Sequence, residues 1–214
     1  MIESPSNKII VYPKTRYTKN ITDIMKRAAI QNGATVDPAD IVNIIGEIIS
    51  IPRHISHISE YQGYSTMDLK IGDIAIFSYK VIYDLIIKQE NGEPVYRNLL
   101  TYNGKEYFTC DIRNLFGVIR DGEIIMVNGF VMLTEYEPNR IIVSASQKHQ
   151  KNANCSNIMH IGRNRTHLPK IKAENGDLVY FNSGKVQHYN IGDKKFIILQ
   201  QDKILGKEIL EITK

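Results

Sequence analysis

The chain has no tryptophan and only two cysteines among its 214 residues. No apolar run approaches the roughly 20 residues needed to span a bilayer as a helix. The first residues, Met1-Ile-Glu-Ser-Pro-Ser, hold no basic stretch followed by an apolar one, so no secretory signal is read. An intracellular protein, or one assembled into a particle inside a cell, is expected. In a reducing compartment Cys110 and Cys155 are expected to be free thiols, Cys110 buried in an apolar strand pattern. Phosphate-binding, dinucleotide and nucleophile-elbow motifs are all missing. The nearest approach to a metal pair is His54 and His57, which no further ligand completes. His149, Cys155, His160 and His167 follow no known ligand spacing. No enzyme, no cofactor and no metal are expected.

Apolar residues make up 43% of the chain, enough for a packed core. Ile, Val, Tyr and Thr are abundant, which favours strands. Two phrases recur. Leu69-Lys-Ile-Gly-Asp-Ile-Ala-Ile-Phe77 returns as Glu174-Asn-Gly-Asp-Leu-Val-Tyr-Phe181, and Tyr107-Phe-Thr-Cys-Asp-Ile-Arg-Asn-Leu-Phe-Gly117 returns as Phe196-Ile-Ile-Leu-Gln-Gln-Asp-Lys-Ile-Leu-Gly206. A repeat sets the folding unit, so the chain is divided into residues 1–120 and 121–214. Short strands separated by Gly turns indicate small barrels or sandwiches. Expected strands include 8–12, 41–51, 74–79, 81–87, 106–110, 124–134, 140–146, 157–162, 186–189 and 195–200. One helix is expected over 23–31, capped by Thr22 and stopped by Asn32-Gly33, with Ile24, Met25, Ala28 and Ala29 at helical spacing. Asp73 and Asp177 occupy equivalent turns in the two repeats, so they are read as turn formers rather than as an acid/base pair.

The order of these motifs resembles the GroES co-chaperonin family. Ile71-Gly-Asp-Ile-Ala-Ile-Phe77 and Gly176-Asp-Leu-Val-Tyr-Phe181 stand where that family has its turn and strand. Lys195-Phe-Ile-Ile-Leu-Gln-Gln-Asp-Lys-Ile-Leu205 resembles its terminal strand and Asp-Ile-Leu element, and Ile45-Gly-Glu-Ile-Ile49 an earlier strand. The resemblance covers both repeats. It implies a mainly β chain of two tandem small GroES-like β-barrels, with the short helix inserted in the first. The family grips a chaperonin ring through a loop carrying a Gly-Gly-Ile-Val-Leu type motif. The equivalent segments here, Thr15–Asp40 and Ser144–Ser156, do not carry it.

Between Arg140 and Lys172 the chain has seven Lys or Arg and no Asp or Glu, including Arg163 and Arg165. Such a segment can steer an acidic partner, but it holds no aromatic platform, so nucleic acid is not the expected partner. Candidate partner-binding residues are Ile24 and Met25 on the helix, Tyr61 and Tyr64 in the loop before Leu69, and Arg163 and Arg165 in the basic segment. Tyr61, Tyr64 and Met67 serve either as docking aromatics or as a cover for their own barrel. The expected function is a non-enzymatic structural protein of a large, oligomeric assembly, foremost an auxiliary or decoration protein of a phage virion. The alternative is a tandem co-chaperonin capping a chaperonin ring. No membrane partner is expected.

Overall fold

The structure is a computed structural model. It describes residues 2–14, 45–78, 80–83, 86–88, 94–96, 98–134, 153–165, 172–182, 188–191 and 194–208. The expected helix 23–31, with Ile24 and Met25, lies outside the described residues, as does the expected strand 140–146.

The chain is mainly β. Its strands are β1 (Lys8–Pro13), β2 (Ile45–Ser50), β3 (Ile74–Phe77), β4 (Ile86–Lys88), β5 (Pro94–Tyr96), β6 (Leu99–Tyr102), β7 (Lys105–Asp111), β8 (Leu115–Arg120) and β9 (Glu123–Met126). They continue as β10 (Phe130–Leu133), β11 (Ala153–Ile161), β12 (Leu178–Asn182), β13 (His188–Ile191), β14 (Lys194–Gln200) and β15 (Ile204–Lys207). A single helical turn, α1 (Lys80–Tyr83), occupies part of the stretch expected to be strand over 81–87. Ser78 sets it off: its hydroxyl accepts from the Lys80 amide, and its carbonyl accepts from Val81. That local bonding outweighs the β-branched composition.

Two antiparallel sheets result. The first runs β6-β7-β1-β2-β3-β8-β9 and the second β13-β14-β10-β11-β12-β15, with β4 and β5 forming a separate pair. Among the described residues the pairing leaves both orders open, so the two expected barrels are seen as two antiparallel sheets. The order of the second sheet matches the first six strands of the other, element for element. The Gly-Asp turns match bond for bond. Lys70 N donates to Asp73 Oδ2 at 2.7 Å, and Glu174 N to Asp177 Oδ2 at 2.9 Å. Gly72 N and Gly176 N donate to Ile48 O and Ile158 O at 2.9 and 2.7 Å. Both glycines have positive φ, 92° and 95°, which a side chain would strain. Each terminal strand then enters a 3-10 turn, Ile112–Asn114 or Gln201–Lys203, before its last described ladder partner.

Residues 124–134 are not one strand. Asn128 and Gly129 take positive φ of 53° and 77°, and Phe130 N donates back to Val127 O at 3.0 Å. The Asn-Gly pair therefore makes a turn that ends β9 in the first sheet and begins β10 in the second. Among the described residues β9 pairs only with β8.

Two apolar clusters stabilise the sheets. One is confined to the second sheet and includes Val131, Leu133, Ile158, Val179, Phe181 and Ile197. The other fills the first sheet with Ile9, Val11, Ile48, Ile76, Phe77 and Phe108 and extends into the second through Phe130, Met132, Tyr189, Phe196 and Ile198. Alternate residues of β10 thus face opposite ways, Val131 and Leu133 inward, Phe130 and Met132 towards the first sheet. All four are buried. Fully burying each such side chain is worth about 1.5–3 kcal/mol.

Candidate functional site

The most densely organised region of the described chain is the seam between the sheets and the loop 53–68 beside it. At its centre Phe116 of β8 meets Phe130 and Tyr189 edge-on, with ring centroids 4.8 and 4.9 Å apart. Backbones close in behind these rings. A Cβ on Gly162 would lie 2.8 Å from Met126 C and O, so only glycine admits this approach of β9 to the end of β11.

The loop from Pro52 to Leu69 is pinned at both ends of the seam. The 3-10 turn Ser59–Tyr61 delivers Tyr61, whose hydroxyl donates to Asp111 Oδ2 at 2.6 Å. Asp111 also accepts from Arg113 through its backbone N, Nε and Nη2, at 2.9, 2.9 and 3.0 Å. The Arg113 guanidinium lies 4.6 Å over the Tyr61 ring and donates to Glu60 at 2.6 Å. Burial opposes charge on Asp111, yet the hydrogen bonds from Arg113 and Tyr61 hold its carboxyl below the usual range. Burial, followed by the bond to Asp111, pushes the Tyr61 phenol up to about 12.

The second pin repeats this plan with other residues. Arg165 donates to Gln200 Oε1 at 2.5 Å, where Gln200 stands at the end of β14 as Asp111 stands at the end of β7. Its guanidinium lies 4.7 Å over the ring of Tyr64, which belongs to the first sheet's loop. Ser65 N, beside Tyr64, donates to Asn128 Oδ1 at 2.9 Å. Arg163 is exposed, and its carbonyl accepts from Gly129 N at 2.9 Å.

The structure therefore brings three of the named candidates to the seam, Tyr61, Tyr64 and Arg165. Their polar and ring contacts are made within the chain. Tyr61 is only 9% exposed and belongs to the larger apolar cluster. Tyr64 packs on the same cluster. Arg163 is exposed, and Met67 is 79% exposed. The basic segment is described only at 153–165 and from Lys172 onwards.

Asp73 and Asp177 do not meet. Asp73 accepts from Arg120 at 2.6 and 2.8 Å, and Asp177 from Lys207 at 2.9 Å. Burial works against the Asp73 carboxylate, but the bonds from Arg120 and from the Lys70 amide lower its pKa. Both carboxylates tie a turn to a neighbouring strand. His54 and His57 are exposed, and among the described residues no group of three or more His, Cys, Asp or Glu could hold a metal. Cys110 and Cys155 are free and buried, and burial raises the Cys110 thiol pKa well above its usual value. Among the described residues no helix is long and apolar enough to cross a membrane.

The residues that carry the seam, Phe116, Phe130 and Tyr189, were not among the sequence candidates. One signal did mark Phe116: the repeated phrase aligns it with Leu205, so two large apolar residues follow the same turn.

Residues 122–208 match the family described as the Chaperonin 10 Kd subunit. The match spans β9 through β15 and supports a GroES-like fold. No curated protein matches the chain.

Proposed function

We propose that the chain is a tandem co-chaperonin, two GroES-like units in one polypeptide, that docks without catalysis on a chaperonin ring in the cytoplasm. The observation that carries this reading is the family match over 122–208, together with the recurrence of that region's strand order and Gly-Asp turn in the first sheet. The polar residues of the seam support a structural role. Asp73, Asp111 and Asp177 each neutralise a cation of their own sheet, as expected of a scaffold.

One observation favours a second reading. Neither 15–40 nor 144–156 holds the apolar docking tripeptide that a chaperonin ring would grip. On that reading the same scaffold is a structural or decoration protein of a phage virion.

The test is to elute the purified chain with a GroEL-type ring by size exclusion, with and without ATP, beside an authentic co-chaperonin. Co-elution that requires nucleotide is expected. If the authentic protein binds and this chain does not, the co-chaperonin reading fails, and its detection in purified particles becomes the check on the virion reading.

A further inference from the structure

The two pins of the loop 53–68 differ in one chemical respect. In the first, the guanidinium stacked on Tyr61 is neutralised twice. Arg113 donates to Asp111 through Nε and Nη2 at 2.9 and 3.0 Å, and to Glu60 at 2.6 Å. In the second, the guanidinium stacked on Tyr64 donates to the neutral amide of Gln200. The ladders place Gln200 opposite Phe130 as they place Asp111 opposite Lys8, so an amide stands where the first pin has its carboxylate. Among the described residues Arg165 forms no ion pair.

Two donors are left over at this place. Asn128 is 5% exposed, and its Oδ1 accepts from Ser65 N, but its Nδ2 is buried and bonded to nothing. Arg165 Nε is likewise buried and without an acceptor. A buried N–H that lacks an acceptor is costly, the more so when its group is charged. The backbone holds both side chains together. Gly129 N donates to Arg163 O at 2.9 Å, Gln201 N to Gly129 O at 2.8 Å, and Gln201 Nε2 to Gly162 O at 2.6 Å. A Cβ on Gly129 would lie 3.7 Å from Arg165 Nε, so the guanidinium lies against the turn that carries Asn128.

We infer that a small inorganic anion, of the size and charge of chloride, binds between Asn128 Nδ2 and Arg165 Nε. It takes the part that the Asp111 carboxylate plays in the first pin. Both groups are donors and one is a cation, so the pair suits an anion and offers nothing to a metal. A water molecule would accept from the same donors but leave the half-buried charge unbalanced. A partner's carboxylate would have to reach atoms closed off from solvent, whereas a small ion enters by a shift of the Arg165 side chain. Bound there, the anion ties the loop 53–68 to the turn between the sheets and stabilises the seam.

Thermal unfolding of the full chain tests it, with chloride or bromide exchanged for gluconate at constant ionic strength. Gluconate is too bulky to enter. The melting temperature is expected to rise with halide, by about 3–6 °C at ten times the dissociation constant. Gln200→Glu restores the carboxylate of the first pin, and it is expected to fold and to lose the halide dependence. Bromide-soaked crystals of the wild type are expected to show an anomalous peak between Asn128 and Arg165. Should Gln200→Glu fail to fold, that peak alone decides. A melting temperature indifferent to halide, a dependence that survives in folded Gln200→Glu, or a bromide-free site held by water would each overturn the inference. None of these readouts involves the chaperonin ring, so they stand apart from the co-chaperonin reading.

Discussion

Replacing Phe116 by alanine should uncouple the two sheets. The ring is 5% exposed and contacts two aromatic partners edge-on, at 4.8 and 4.9 Å. Truncating a buried Phe to Ala generally costs about 3–5 kcal/mol. The seam lies between two sheets that can shift towards one another, so the lower end, about 3 kcal/mol, is expected. Each edge-on pair contributes about 0.5–1.5 kcal/mol of that loss. At about 2–4 °C per kcal/mol for a chain of this size, the melting temperature should fall by about 10 °C. The chain has 12 Tyr and no Trp, so far-ultraviolet circular dichroism during urea unfolding is the suitable readout. A double-mutant cycle with Tyr189→Leu should return a coupling of about 1 kcal/mol. In Phe116→Ala the single transition should also broaden or split, because the cluster confined to the second sheet no longer melts together with the larger one. A loss under about 1 kcal/mol, with coupling within the usual additivity error of about 0.3–0.5 kcal/mol, would refute the claim that this ring joins the sheets.

Two further expectations use the correspondence between the sheets. Gly117→Ala should destabilise by about 1–3 kcal/mol, since its Cβ would meet backbone at 2.7 Å, while Gly206→Ala, in open space, should be near neutral in the same urea assay. Asp111→Asn should cost about 2 kcal/mol at pH 7, where the carboxylate is fully ionised and bonded to Arg113 and Tyr61. Because the folded carboxyl is held below its unfolded value, its stabilisation is full above about pH 4 and is lost as the pH falls through the folded value. The difference between wild type and variant should therefore shrink in acid, and a gap that stays constant to pH 2 would contradict the assigned bonding.

Much of the local structure was legible in the residues. The Gly-Asp turns at Gly72-Asp73 and Gly176-Asp177 were placed because only glycine accepts that φ readily, and because the following carboxylate can close the turn. The terminal strands and the alignment of Tyr107–Gly117 with Phe196–Gly206 are reproduced by the ladders. The break at Asn128-Gly129 was missed although the Asn-Gly signal was present, since the apolar runs on either side read as one strand. The turn at Lys80–Tyr83 was missed for the opposite reason: its composition favours strand, and a single serine redirects the backbone.

The candidate site was less legible. Tyr61, Tyr64 and Arg165 lie at the seam, yet their partners, Asp111, Gln200 and Asn128, are far away in sequence and bear no motif. Strand periodicity tells which residues share a face, but when both faces of β10 and β14 are apolar it cannot say which one meets its own sheet. The sequence by itself indicated the mainly β class, the terminal strands and the Gly-Asp turns, because these depend on local backbone preferences. Only the tertiary structure decided that Phe116 is covered and Leu205 is not. The two residues share a local environment, and their burial depends solely on whether another sheet lies against them.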